Sequence, residues 1–171
     1  MTAKDNIDHL WGFALLPDAF PYPCRGEENP MTLVCQARWN EGVVCIFADL
    51  DYFFGDIEAD GGHLGEWGRD YFKVVYTASD KPLHLHEIRY PDGTPAVPES
   101  RPLGDTFLHP PTCWQDELEQ DCPGYEVLLQ LEEDEEIGLR FYDCGTLFFL
   151  IRPEDLAAHH FDRVRCVLYS Y

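Results

Sequence analysis

Carboxylates dominate the chemistry available to this sequence, which holds 32 Asp and Glu against 12 Lys and Arg and 7 His. The densest run is Glu132-Glu133-Asp134-Glu135-Glu136. A calcium loop alternates its Asp and Asn ligands around a central Gly; this run does neither and reads as solvated charge. Carboxylate pairs hydrolyse glycosides when their surroundings separate the two acidities, but nothing in the sequence marks one pair as buried. His84 and His86 stand two apart in a β-rich run, so they share a face, with Glu87 on the other. With His109 or His63 they are the weak candidates for a zinc site with an open position.

The remaining catalytic inventory is sparse. Ser79, Ser100 and Ser170 are the serines, and none lies in a Gly-x-Ser-x-Gly elbow. There is no P-loop, and Lys4, Lys73 and Lys81 are the lysines. Gly61-Gly62-His63-Leu64-Gly65-Glu66-Trp67-Gly68 lacks GxGxxG spacing, and its flanking acids would repel a pyrophosphate, so it reads as a loop. The 7 cysteines include no CxxC pair, which argues against a disulfide framework or zinc knuckle. Cys35, Cys45 and Cys166 sit in apolar runs and read as core. No cofactor is expected.

Two amides are out of place. Gln36 and Gln130 each interrupt an apolar run, where a buried amide must find partners. They either satisfy a neighbouring backbone edge or present themselves to a shared groove, with Trp114 and Gln115 near its mouth.

The formal net charge is −20 and the isoelectric point near 4.4. Nucleic-acid binding needs Lys and Arg to neutralise phosphates, so that class is excluded, and an anionic membrane would repel the chain. The charge is segregated: residues 41–70 hold eight acids and one base, residues 112–143 eleven acids and one base, and residues 144–171 three of each. Asp49, Asp51, Asp56, Glu58 and Asp60 from the first block, with Glu132 to Glu136 from the second, are the candidate acidic face. No apolar run approaches the ~18 residues of a membrane span. The polar start lacks a signal-peptide pattern, and a cytoplasmic location is expected.

Apolar, β-branched runs predict strands over 32–35, 42–48, 72–76, 83–90, 125–131, 145–151 and 164–171. One helix is predicted over 153–161: Pro153 suits the first helical position, and Glu154 and Asp155 complement its dipole. The expectation is a single α+β domain over residues 1–171, mainly antiparallel with few helices. A weak repeat relates about 30–78 to 125–171. Leu33-Val34-Cys35-Gln36-Ala37 matches Leu128-Leu129-Gln130-Leu131 around the glutamine, Gly42-Val-Val-Cys-Ile-Phe matches Gly145-Thr-Leu-Phe-Phe-Leu, and Val74-Val75-Tyr76 matches Val167-Leu168-Tyr169.

Several strings resemble the bacterial YwqG-like family, a family of unknown function. Tyr125 to Gly138 resembles its Leu-Leu-Gln-Leu/Ile-Asp-Ser-Asp segment. Gly145 to Ile151 resembles its Gly-x-Leu-Tyr-Phe-Phe-Ile strand, and Asp155 to Val164 its Asp-Leu-Ala-x-x-x-Phe-Asp motif. Trp11-Gly12 with Leu16-Pro17, Pro30 to Gln36 and Trp114-Gln115 are similar to its earlier motifs. Ala14 replaces a usual Pro, and Phe141 to Cys144 replace a Trp-Gly-Asp-Ala-like stretch. The resemblance implies an α+β fold of two related halves and transfers no catalytic residue.

Two functions follow as expectations. The first is a non-catalytic acidic protein, inhibitor- or immunity-like, that engages a basic protein partner. The second is a small-molecule-binding protein or enzyme using a groove between the two units.

Overall fold

Strict alternation of side chains along β-branched runs builds two sheets that share one core. The structure, a computed structural model, describes residues 7–50, 64–78 and 80–171. Strands β1 (His9–Leu10), β2 (Ala14–Leu16), β3 (Cys24–Arg25), β4 (Asn29–Pro30) and β5 (Thr32–Trp39) come first. Then follow β6 (Gly42–Ala48), β7 (Gly65–Glu66), β8 (Phe72–Ala78), β9 (His84–His86), β10 (Arg101–Pro102) and helix α1 (Gln115–Asp121). The chain closes with β11 (Glu126–Glu132), β12 (Thr146–Ile151), helix α2 (Pro153–Ala157), a 3-10 turn at Phe161–Arg163 and β13 (Arg165–Tyr169).

One sheet runs β10-β1-β5-β6-β8 and the other β11-β12-β13-β7, with β2-β9 and β3-β4 as two-stranded ribbons. The pairings within both sheets are antiparallel. The described residues are thus mostly antiparallel β-sheet with two α-helices. Val44, Ile46 and Ala48 of β6 meet Leu147, Phe149 and Ile151 of β12 in the shared core. The alternate residues face outward: Val43, Cys45 and Phe47 pack under Ala14 and Leu16 of β2. Phe148 and Leu150 pack under Leu118 of α1 and Cys122, the residue at its C-terminal cap.

The centres of the two sheets have matching registers. Gln36 stands opposite Cys45 and Cys45 opposite Val75; Gln130 stands opposite Phe148 and Phe148 opposite Val167. Each first strand shifts register just before its glutamine, between Leu33 and Cys35 and between Val127 and Leu129. The extra residue lets two neighbours in a row, Val34 with Cys35 and Leu128 with Leu129, enter the shared core. Trp11 N–H donates to the Val34 carbonyl at 3.1 Å and Leu108 N–H to the Leu128 carbonyl at 2.9 Å. Both donor residues are left-handed, at φ 59° and 51°.

The connections cross between sheets. β7, from between β6 and β8, pairs with β13, and Trp67 N–H donates to the Cys166 carbonyl at 2.8 Å. In return Phe161, from between β12 and β13, stacks on Tyr76 of β8 at 5.4 Å. Gly42 and Gly145, which open the second strand of each centre, have no room for a side chain. A Cβ on Gly42 would lie 2.5 Å from the Thr77 carbonyl oxygen, and one on Gly145 would overlap the Phe141 carbonyl.

Three elements differ from the sequence expectation. The strand expected over 83–90 shrinks to His84–His86: Pro17, with no N–H to give, ends the pairing on the Leu83 side, and beyond His86 the chain folds back on itself, with Ala96 N–H donating to the Ile88 carbonyl and Tyr90 N–H to the Thr94 carbonyl, both at 2.9 Å. The helix expected over 153–161 ends at Ala157, and His159 turns left-handed at φ 58°. Helix α1 was not expected; its Gln-Asp-Glu-Leu-Glu-Gln-Asp buries Leu118. No helix among the described residues is long and apolar enough to cross a membrane.

Candidate functional site

The two glutamines stitch backbone on opposite outer faces of the sandwich. Gln36 is fully buried: Leu15 N–H donates to its Oε1 at 2.8 Å, and its Nε2 donates to the Ile7 carbonyl at 3.2 Å. Cys45 Sγ sits 3.4 Å from the same Oε1. Gln130 is half-buried; Thr112 N–H donates to its Oε1 at 3.0 Å, and its Nε2 reaches Thr112 Oγ1 and Glu132 Oε1. The shared groove expected for both amides is therefore corrected for Gln36: its amide is spent inside the outer layer over the first sheet. Trp114, left-handed at φ 59°, stacks on Tyr169 at 5.5 Å and lies tilted against Tyr171 at 4.7 Å. Gln115 opens α1 and donates to the Pro111 carbonyl at 2.9 Å.

Most of the sharpest acidic run is bonded within the fold. Glu132 takes the Gln130 amide, and Glu133 Oε1 accepts the N–H groups of Phe141 at 2.9 Å and Gly145 at 3.3 Å. Arg101 bridges Asp134 and Glu136, the latter at 3.2 Å. Glu135 is exposed. Asp49 is buried and holds Arg25 at 2.7 Å, while the Arg25 guanidinium lies 4.1 Å over the Tyr71 ring. That carboxylate belongs to the interior rather than to an exposed face. Asp51, Asp56, Glu58 and Asp60 lie outside the described residues.

The histidine pair is divided in its contacts. His84 Nε2 lies 3.3 Å from Asp18 at the surface. His86 packs beside Tyr22 at 6.4 Å, and its Nε2 is buried without a hydrogen-bond partner. No group of three or more His, Cys, Asp or Glu suited to a metal ion occurs among the described residues. The buried thiols are inert as nucleophiles, since burial pushes Cys35, Cys45 and Cys166 upward in pKa. Asp155 of the Asp-Leu-Ala motif is also structural: it is buried and accepts from Arg163 at 2.7 Å, while Leu156 and Phe161 enter the shared core.

Two adjoining depressions remain. A groove of about 1030 Å³ lies beside α1, with Trp39, Pro111, Leu118, Val127 and Leu156 among its apolar walls. Its charged residues are Glu119 and Glu126, with His109 at one side and no Lys or Arg among the described residues that line it. A cleft of about 270 Å³ shares His109 and Pro110 with the groove. Gln130, Glu132, Glu133, Asp134 and Asp105 line that cleft together with Leu10 and Trp11, again without Lys or Arg. The structure thus brings Gln130, Gln115 and three acids of the run to neighbouring depressions, and leaves Trp114 outside both.

Residues 90–169 match the family model described as domain of unknown function DUF1963. The match spans α1, the second sheet's three long strands, and most of the groove and cleft walls. No curated protein matches the chain.

Asp105, Glu119 and Glu126 are the site acids that sequence reasoning did not single out. Glu119 and Glu126 were part of the second charge block, and Glu119 becomes a wall residue because α1 turns Gln115, Glu119 and Cys122 toward one side.

Proposed function

We propose that this protein is a non-catalytic acidic binding protein that engages a basic protein partner, using the groove beside α1 and the cleft next to it. The observation that carries this reading is the composition of those walls: apolar surface with Glu119, Glu126, Asp105 and the Glu132–Asp134 carboxylates, of which Asp134 is already paired with Arg101, and no Lys or Arg among the described lining residues. An acidic, partly apolar surface speeds encounter with a cationic protein and penalises acidic competitors. A toxin inhibitor or immunity protein would have this electrostatic profile. The same chemistry favours a cationic or apolar small molecule as the second reading, since about 1030 Å³ is at the upper end of ordinary ligand pockets.

The architecture proposed with this function is a single α+β domain of the YwqG-like type, built by duplication of one unit, in the cytoplasm. Duplication is supported by the matching bulges, glutamines, strand-opening glycines and left-handed Trp11 and Leu108. In each half, four residues beyond the left-handed position, the N–H of Leu15 or Thr112 meets the glutamine Oε1. That correspondence extends the unit upstream of residues 30 and 125.

Capture from lysate on the immobilised full chain tests the function. Proteins retained at low ionic strength and released at ~0.5 M salt, where the Debye length has contracted to a few ångströms, are expected to be basic. A retained set no more basic than the lysate itself would reject the reading.

A further inference from the structure

The groove and the cleft meet at His109 and Pro110, which wall both. They differ in chemistry. The groove offers Leu118, Val127 and Leu156 with Glu119 and Glu126 at its margin. The cleft offers Asp105, Glu132 and Asp134 around a smaller volume. Trp39 adds apolar surface to the groove.

We infer that the two depressions form one trough for an extended segment of a basic protein, with an apolar side chain in the groove and a Lys or Arg in the cleft. The inference rests on the basic-partner reading and adds the form of the bound segment and its side-chain pattern. An extended segment suits the site because neighbouring side chains along it can meet walls of different character. The Lys or Arg would face carboxylates already held in place: Glu132 by Gln130, and Asp134 by Arg101. Little side-chain freedom is then lost on binding.

The test uses the full chain and a labelled ten-residue peptide of alternating leucine and lysine, followed by fluorescence anisotropy at low ionic strength. Asp105 and Glu119 line the trough, whereas Glu28 is exposed and lines neither depression. Asp105→Lys and Glu119→Lys are each expected to weaken binding roughly five-fold, the scale of reversing one solvent-facing ion pair. Glu28→Lys removes the same net charge and is expected to leave affinity within two-fold. A peptide with serine in place of leucine is expected to bind at least ten-fold more weakly. Equal effects from all three charge reversals, or no loss with the serine peptide, would overturn the trough. Lysate capture of basic proteins that survives Asp105→Lys and Glu119→Lys would also overturn it, leaving a basic partner that binds at another face. Failure to capture any basic protein, with the peptide titration behaving as expected, would reject that reading and keep the trough's chemistry.

Discussion

Replacing Gln36 by leucine keeps most of the side-chain volume and deletes the amide. Leu15 N–H, buried and 2.8 Å from Gln36 Oε1, then has no acceptor, and the Ile7 carbonyl loses a donor at 3.2 Å. An unsatisfied buried backbone donor costs about 1–3 kcal/mol; the Ile7 carbonyl, only part-buried, recovers much of its loss from water. The expected destabilisation is therefore about 2–3 kcal/mol, or roughly 4–12 °C in Tm for a domain of this size. Gln130→Leu removes the equivalent amide where Thr112 N–H is solvent-exposed, so water replaces it and the cost is about 0.5–1 kcal/mol. Urea unfolding followed by far-UV circular dichroism measures both, with an unchanged slope showing that the native state is intact. Equal costs for the two substitutions, or less than about 1 kcal/mol for Gln36→Leu, would refute the assignment of Gln36 as a buried stitch.

Other outcomes follow from the same structure. Gly145→Ala places a methyl on the Phe141 carbonyl and Gly42→Ala one 2.5 Å from the Thr77 oxygen; each is expected to cost about 1–3 kcal/mol by thermal or urea unfolding. Arg25→Met withdraws the guanidinium from the buried Asp49 carboxylate. It is expected to cost about 3 kcal/mol, and less than 1 kcal/mol in urea would contradict that pairing. Burial holds His9 below its ordinary pKa of 6.5, against hydrogen bonds that favour its charged form. The unfolded chain therefore takes up the proton first as pH falls, and stability declines below about pH 6.5 toward the folded-state value. Equilibrium unfolding from pH 7.5 down to 5.5 should show that decline in the wild type and a weaker one in His9→Gln.

The strands were legible because alternation is local: Val43 to Ala48 and Thr146 to Ile151 carry their two faces in their own spacing. Helix α1 was not, since one apolar residue in Gln-Asp-Glu-Leu-Glu-Gln-Asp leaves no periodicity to read, and only the sheet beneath it makes Leu118 a buried face. The glutamines were recognisable as anomalies, but their partners at Leu15 and Thr112 lie 21 and 18 residues away and are set by how the preceding segments cross the sheet. For the acidic run, composition gave the charge, while the bonds that fix Glu133 and Asp134 depend on the Phe141–Gly145 turn and on Arg101. The three short strings that suggested a repeat fall on the sheet centres. The left-handed Trp11 and Leu108 have unlike side chains and share only a backbone conformation, so the proposed duplication had no signal there.

Backbone amide shifts of the isotopically labelled full chain, recorded while adding the leucine–lysine peptide, locate the bound segment. Perturbations are expected to concentrate on residues 105–112, on Glu119 and on Gln130 to Asp134. Perturbations spread instead over exposed acids away from the trough, such as Glu27, Glu28 and Asp92, would contradict that location.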